Sequence, residues 1–348
     1  MSAMTLYIPK DYKDLLGSIE DTERAIKAVK DMFQQALSAQ LALLRVTAPM
    51  IVPSGTGMND DLNGVEKPVS FSLPAMDDSR AEVVQSLAKW KRVRLAQMGM
   101  PSGRGIYTDM NAIRPDEEPD NIHSVYVDQW DWEKVISSDQ RTLAFLKMTV
   151  RRIYEAIRIT ESRLFMEFPQ IEPLLPENIF FIHADELLRM YPGMSPKERE
   201  NAIVKEYKAV FIIGIGGRLS DGSVHDGRSS DYDDWSSINE EGTVGLNGDL
   251  LFWNPLLENV LEISSMGIRV DKIALERQLE KRGEQWKKKL MYHQKLLNGE
   301  LPLTMGGGIG QSRLCMFLLR KAHIGEVQSS IWPEDMRKKC EDAGIYLA

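Results

Sequence analysis

Cysteine is nearly missing from this 348-residue chain: Cys315 and Cys340 are the only two. Two thiols cannot build a disulfide framework, so a reducing, cytoplasmic setting is the expectation. Histidine is scarce too, and the five present offer no C-x-x-C or H-x-x-x-H spacing for zinc. No apolar run approaches the ~20 residues of a membrane span. The first 14 residues carry no secretory hydrophobic region. Positive charge is in deficit, with a net of −8, which disfavours an extended nucleic-acid surface. What remains is 43% apolar and 27% charged, the composition of a globular protein. With neither an internal repeat nor a low-complexity linker, one compact domain is expected rather than two.

Along the chain, Ser18 and Asp21 form a capping-box pattern. Behind them Ile26, Val29, Phe33, Leu37, Leu41 and Leu44 fall at helical spacing and predict a buried stripe. Residues 43–52 (LLRVTAPMIV) read as extended, and Pro49 inside them predicts an edge strand at a subunit interface. A glycine-rich polar loop over 54–64 reads either as plain surface or as a lid carrying Asp60. Residues 87–98 predict a helix whose Lys89, Lys91, Arg92 and Arg94 form a basic face of the usual solvated kind. Strands are expected over 105–114, 123–132, 209–217, 248–253 and 261–270. Leu146, Val150, Ile153, Ile157 and Leu164 mark a second amphipathic helix ending near Pro169. Strands outnumber what a βαβ pattern needs, so an antiparallel sheet with flanking helices fits best.

The stretch GGGIGQSRL at 306–314 puts four glycines in five positions before an apolar helix, with Arg313 at its start. A glycine turn, a helix N-terminus and a guanidinium converging on one spot suit a phosphate. A tight turn before a core helix explains the glycines alone equally well. Other tempting motifs fail. Ser86 and Lys89 match S-x-x-K, but no S-D-N or K-T-G follows. Gly214, Gly216 and Gly217 miss G-x-G-x-x-G at Leu219. The acidic run 231–235 breaks the calcium-loop pattern at Trp235 and Ser236.

The remaining parts form a kit. Lys91, Arg114 and Arg313 are cations on separate elements. Alternation puts Val125, Val127, Gln129 and Asp131 on one strand face, and Glu262, Ser264 and Met266 on another. Asp249 and Glu262 can meet across neighbouring strands and hold Mg²⁺ between them. Asp60, Gln129, Asp131, Arg228 and Asp233 can read a small zwitterion. Such a set suits attack on a nucleotide phosphate, where positioning and charge neutralisation supply most of the catalysis.

With these residues in hand the chain resembles the aspartate–ammonia ligases, the ammonia-dependent asparagine synthetase A family, which is similar to the catalytic core of class II aminoacyl-tRNA synthetases. VVQSLAKWKR at 83–92, HSVYVDQWDWE at 123–133, SDYDDWS at 230–236, GLNGDLLFWNP at 245–255, EISSMGIRV at 262–270 and GGGIGQSRL carry the likeness, from about residue 43 to 332. The resemblance implies an α+β fold, a mostly antiparallel sheet flanked by helices, in one catalytic domain over 18–348 behind an extension of residues 1–17. It implies a homodimer built around the strand ending at Pro49. It implies ATP and Mg²⁺, and an adenylated aspartate side chain from which ammonia displaces AMP. Around aspartate it places Ser86, Lys91, Gln129, Asp131, Arg228, Asp233 and Ser265, with Asp60 taking up the proton of ammonium. Around ATP it places Arg114, Ser124, Asp249, Glu262, Ser264, Gly308 and Arg313, with the metal on Asp249 and Glu262. Asp60, Lys91, Arg114, Gln129 and Arg313 are the catalytic set.

Two rivals are weighed against it. An aspartyl- or asparaginyl-tRNA synthetase carries an N-terminal anticodon-binding barrel, whereas fewer than 50 residues precede the first motif here. A catalytically dead binding paralogue loses its phosphate-reading arginines, whereas Arg114 and Arg313 are both present. Free ammonia is the expected donor, because taking nitrogen from glutamine needs a nucleophilic thiol with a base. Cys315 lies in an apolar helix, and Cys340 in a polar stretch beyond the recognisable core.

Overall fold

The computed structural model describes residues 6–60, 62 and 66–348. Ser18 caps helix α1 (Ile19–Leu41) by accepting the Asp21 N–H. Asp21 answers by accepting from the Ser18 hydroxyl, not from its backbone as a full capping box would. Val29, Phe33, Leu37 and Leu41 are buried along the helix, with Ile26 partly so. Leu44 does not continue this stripe. The helix stops at Ala42 in the left-handed conformation, and Leu44 sits exposed on strand β1 (Leu43–Arg45).

The strand expected over 43–52 is two strands. Pro49 has no N–H to give a ladder, and the chain parts there. β1 runs along the edge of a large sheet, while β2 (Ile51–Pro53) joins β3 (Ser70–Leu73) and β4 (Ser79–Val83) in a small one. Then come α2 (Ala88–Gln97), β5 (Gly105–Ile113), β6 (Tyr126–Val135), α3 (Leu143–Glu167), β7 (Phe180–His183), α4 (Ala184–Met190), α5 (Pro196–Tyr207) and β8 (Ala209–Ile213). The chain closes with β9 (Asn247–Asn254), β10 (Asn259–Ile268), α6 (Lys272–Arg282), α7 (Met291–Leu297), β11 (Thr304–Gly310), α8 (Gln311–Leu318) and α9 (Glu334–Asp342).

The large sheet has the order β1-β5-β6-β11-β10-β9-β8-β7, parallel only at its two ends and antiparallel between. Helices α1, α3 and α8 cover one face and share the main core with it. Cys340 belongs to that core and not to a polar tail: α9 carries it inward beside Met336, with Ile345 and Leu347. The N-terminal segment is tied down as well. Tyr7 and Asn121 exchange two hydrogen bonds, Tyr12 donates to Glu326, and Leu16 is buried.

Three expectations about the other face change. The glycines at 306–308 lie within β11, paired to β6 and β10 on both sides, and not in a turn. A side chain at Gly306 would strike the Glu133 carboxylate, and one at Gly308 the Gln129 amide. Glu262, Ser264 and Met266 do not share a face, because a bulge between Glu262 and Ser264 flips the alternation. Leu261, Ile263, Met266 and Ile268 all enter the core, while Glu262 and Ser265 face the cleft. The basic face of α2 is not solvated either: Lys89, Lys91 and Arg92 are buried.

Candidate active site

Above the open face of β6, β11 and β10 lies a cleft of about 750 Å³. Asp60, Ser86, Arg114, Ser124, Gln129, Asp131, Arg228, Asp233, Glu262, Ser264, Ser265, Gly308 and Arg313 all line it. Lys91 and Asp249 do not; they sit just beneath. Neighbouring strands β6, β11 and β10 present part of this set side by side, and the loops that carry Asp60, Ser86, Arg228 and Asp233 close in around them.

The floor of the cleft is a buried ion network. The Lys91 ammonium donates to Asp131 Oδ1 at 2.8 Å, to Trp132 O at 3.0 Å and to Gly307 O at 3.2 Å. Its three protons are thus all used on protein, so it reaches the site by orienting Asp131. Burial pushes the ammonium pKa down, against the pull of Asp131 and Glu133. Glu133 is held from the other side by Arg269, whose guanidinium also bonds Asp233. Burial would raise the Glu133 carboxyl, but Arg269 and Lys91 outweigh it and hold it below its usual range. Arg228 bonds Asp249 and lies 3.6 Å from Asp233. Each buried charge here meets an opposite one, as burial requires. Arg269 and Glu133 were missed in the sequence. Both stand inside quoted blocks, but they pair across 136 positions and so left no local signal.

The opposite half of the cleft is different. No hydrogen bond or ion pair engages the Arg114 guanidinium among the described residues. Arg313, in the first turn of α8, bonds only carbonyls among the described residues, Ile122 O and Glu262 O. The N-terminus of α8 is not open to a phosphate as expected, because the Asp128 carboxylate already accepts the N–H and hydroxyl of Ser312. Ser124 pairs with Ser330, and Ser264 donates to Gly308 O.

Asp249 and Glu262 are diagonal neighbours, not opposite ones: Asp249 faces Ser265, and Glu262 faces Leu251. They still repel. Burial first, then Glu262, push the Asp249 carboxyl up to about 7 in spite of Arg228. Asp60 is buried in the wall, its carboxylate accepting the Leu62 N–H at 3.2 Å. Residues 61, 63 and 64 of the expected lid lie outside the described residues.

The family model described as aspartate-ammonia ligase (AsnA) matches residues 20–344. The chain belongs to the aspartate–ammonia ligase family. It is 60% identical to the aspartate–ammonia ligase of Parabacteroides distasonis, over 97% of this chain and 98% of that one. The corresponding protein of Clostridium perfringens is 55% identical over 98% and 99%. Family membership makes the chain an enzyme, and the match reaches beyond the 43–332 window of the quoted blocks at both ends. Among solved structures, the asparaginyl-tRNA synthetase of Pyrococcus horikoshii complexed with asparaginyl-adenylate superposes with a TM-score of 0.64 at 16% identity. It covers 90% of this chain and 70% of its own. An aspartyl-tRNA synthetase from Entamoeba histolytica gives 0.61 at 15%, over 90% and 60%. These likenesses establish the class II synthetase fold, an α+β core with a mostly antiparallel sheet.

Proposed function

We propose that aspartate lies over the paired-charge half of this cleft and ATP over the Arg114–Arg313 half. The enzyme makes asparagine from aspartate and ammonia with ATP. Chemistry dictates two steps, because a carboxylate accepts ammonia only once one oxygen has become a leaving group. The aspartate side-chain carboxylate attacks the α-phosphorus of ATP, and pyrophosphate departs. The ammonia nitrogen then attacks the activated carbon, and AMP leaves with one former carboxylate oxygen. Asp60 takes the proton that the new amide sheds.

The observation that carries this division is the contrast in charge. A zwitterion needs both signs, which Arg228, Asp131 and Asp233 offer together, with Gln129, Ser86 and Ser265 as neutral partners. A polyphosphate needs cations that the protein has not neutralised, and no carboxylate bonds Arg114 or Arg313 among the described residues. Arg114 stabilises charge at the α-phosphate and Arg313 lies along the nucleotide, with Ser124, Ser264 and Gly308 close by. Two neighbouring carboxylates with one of them raised fit a divalent cation, so Asp249 and Glu262 would hold Mg²⁺. Bound there, it would neutralise phosphate charge.

The described chain works as one catalytic domain. A second copy covers the stretch from β1 to β2, where Leu44, Met50 and Ile51 are exposed. We place the enzyme in the cytoplasm, in keeping with two free thiols. No described helix is long and apolar enough to cross a membrane. The test is product analysis with aspartate, ATP, Mg²⁺ and ammonium. Asparagine, AMP and pyrophosphate in equal amounts are expected; ADP with orthophosphate would mean an acyl phosphate and sink this reading.

A further inference from the structure

Gln85 is fully buried in the loop between β4 and α2, yet it lines the cleft. Neither its Nε2 nor its Oε1 meets a hydrogen-bond partner among the described residues. A buried amide with both ends open is costly. Such a group is retained where a ligand completes it. The backbone around it, by contrast, is fixed. Asn59 Oδ1 accepts the N–H of Gln85 at 2.9 Å and the N–H of Asp60 at 3.0 Å. Asn59 Nδ2 donates to Val83 O and to Glu82. One side chain therefore pins the segments of Gln85 and Asp60 together in the same wall.

Resting on the proposed reaction, we infer that Gln85 receives the ammonia, its Oε1 accepting an N–H from the nitrogen that attacks the adenylated carboxyl. The other reactants are already matched. Aspartate carries charges, and charged groups answer them on the floor; ATP meets the two arginines. Ammonia is small and neutral, and with its lone pair kept for the carbon it can be held only through its N–H groups, by acceptors. A carboxylate alone favours ammonium, which has no lone pair to attack with. A neutral amide oxygen beside Asp60 adds a bond that does not depend on the positive charge. Asp60 then accepts the proton, and Gln85 Oε1 aims the lone pair.

Two half-reactions separate this role from a structural one. Aspartate-dependent exchange of labelled pyrophosphate into ATP needs no ammonia, whereas asparagine synthesis does. Using the full chain with Mg²⁺ and ammonium chloride, Gln85→Met should raise the KM for ammonia about tenfold, the loss of a buried hydrogen bond. Exchange should fall by no more than about threefold, less than such a bond is worth. Gln85→Glu keeps the shape but sets a second carboxylate in this wall, which favours ammonium, so its KM for ammonia should stay as high as that of Gln85→Met. An equal loss of exchange and synthesis in Gln85→Met would overturn the inference. So would an unchanged KM for ammonia in Gln85→Met, or a Gln85→Glu enzyme with the parental value. Failure of the wild-type chain itself to make asparagine would instead reject the proposed function.

Discussion

Lys91 and Arg114 are cations flanking the same sheet, and they differ in what they have left to give. Lys91 has used every donor on Asp131, Trp132 O and Gly307 O. The Arg114 guanidinium has engaged none among the described residues. The same contrast separates the floor of the cleft from its Arg114–Arg313 side. Charges that neutralise each other hold a shape, and charges left open wait for a ligand. Removing a member of the first group should damage the fold. Removing one of the second should damage turnover and leave the fold alone.

The largest effect is expected at Arg269, which bonds both Glu133 and Asp233 in the floor. Arg269→Met takes the nearest cation from two buried carboxylates, and breaking a buried pair costs roughly 3–5 kcal/mol. Urea unfolding should show that loss. A variant as stable as the parent would mean that the floor is not what holds this face together. Arg114→Ala comes next: kcat should fall about 10²–10³-fold, the usual loss for a donor aimed at transition-state charge. Its melting temperature should stay that of the parent, and a large drop would show Arg114 to be structural.

A third, smaller effect lies well inside the closed part of the molecule. His323 accepts the Gly325 N–H, and burial holds its imidazole down at about 4. The unfolded chain takes up that proton near pH 6.5. The folded chain refuses it until about pH 4, so this contribution to stability is complete above about pH 6.5 and lost as pH falls toward 4. His323→Asn keeps an acceptor without the titration. The stability difference between pH 7 and pH 4 should shrink by about 3 kcal/mol. An identical acid limb in both proteins would remove His323 from the account. The smallest effect belongs to the cysteines. Burial lifts the Cys315 thiol to about 12 and the Cys340 thiol to about 11, so neither is a thiolate nucleophile at neutral pH. A Cys315→Ala/Cys340→Ala variant should make asparagine from ammonia at near the parental rate. Glutamine-dependent turnover by the parent that vanishes in the variant would contradict this.

Local periodicity carried most of the fold. The stripes of α1 and α3 and the strands β5, β6 and β8 to β10 were legible because their partners lie at fixed spacing in one segment. What escaped was set at long range. Lys89 looked solvated because Asp231, which neutralises it, lies 142 positions away. The glycines of β11 looked like a turn because the groups that forbid side chains there, Glu133 and Gln129, belong to another strand. The bulge in β10 follows from its ladder with β9, which no alternation count reveals. Motif blocks located the residues of the cleft, but not which of them are spent on one another. Gln85 sat inside a quoted block and passed unnoticed, since only burial shows that its amide is unanswered.

One measurement bears on the whole account. Aspartate labelled with ¹⁸O in its side-chain carboxylate is turned over with ATP, Mg²⁺ and ammonium, and the phosphorus products are weighed by mass spectrometry. Attack of that carboxylate on the α-phosphorus beside Arg114 must leave one labelled oxygen in AMP and none in pyrophosphate. Label in orthophosphate, or AMP without label, would contradict the adenylate and the division of the cleft built on it.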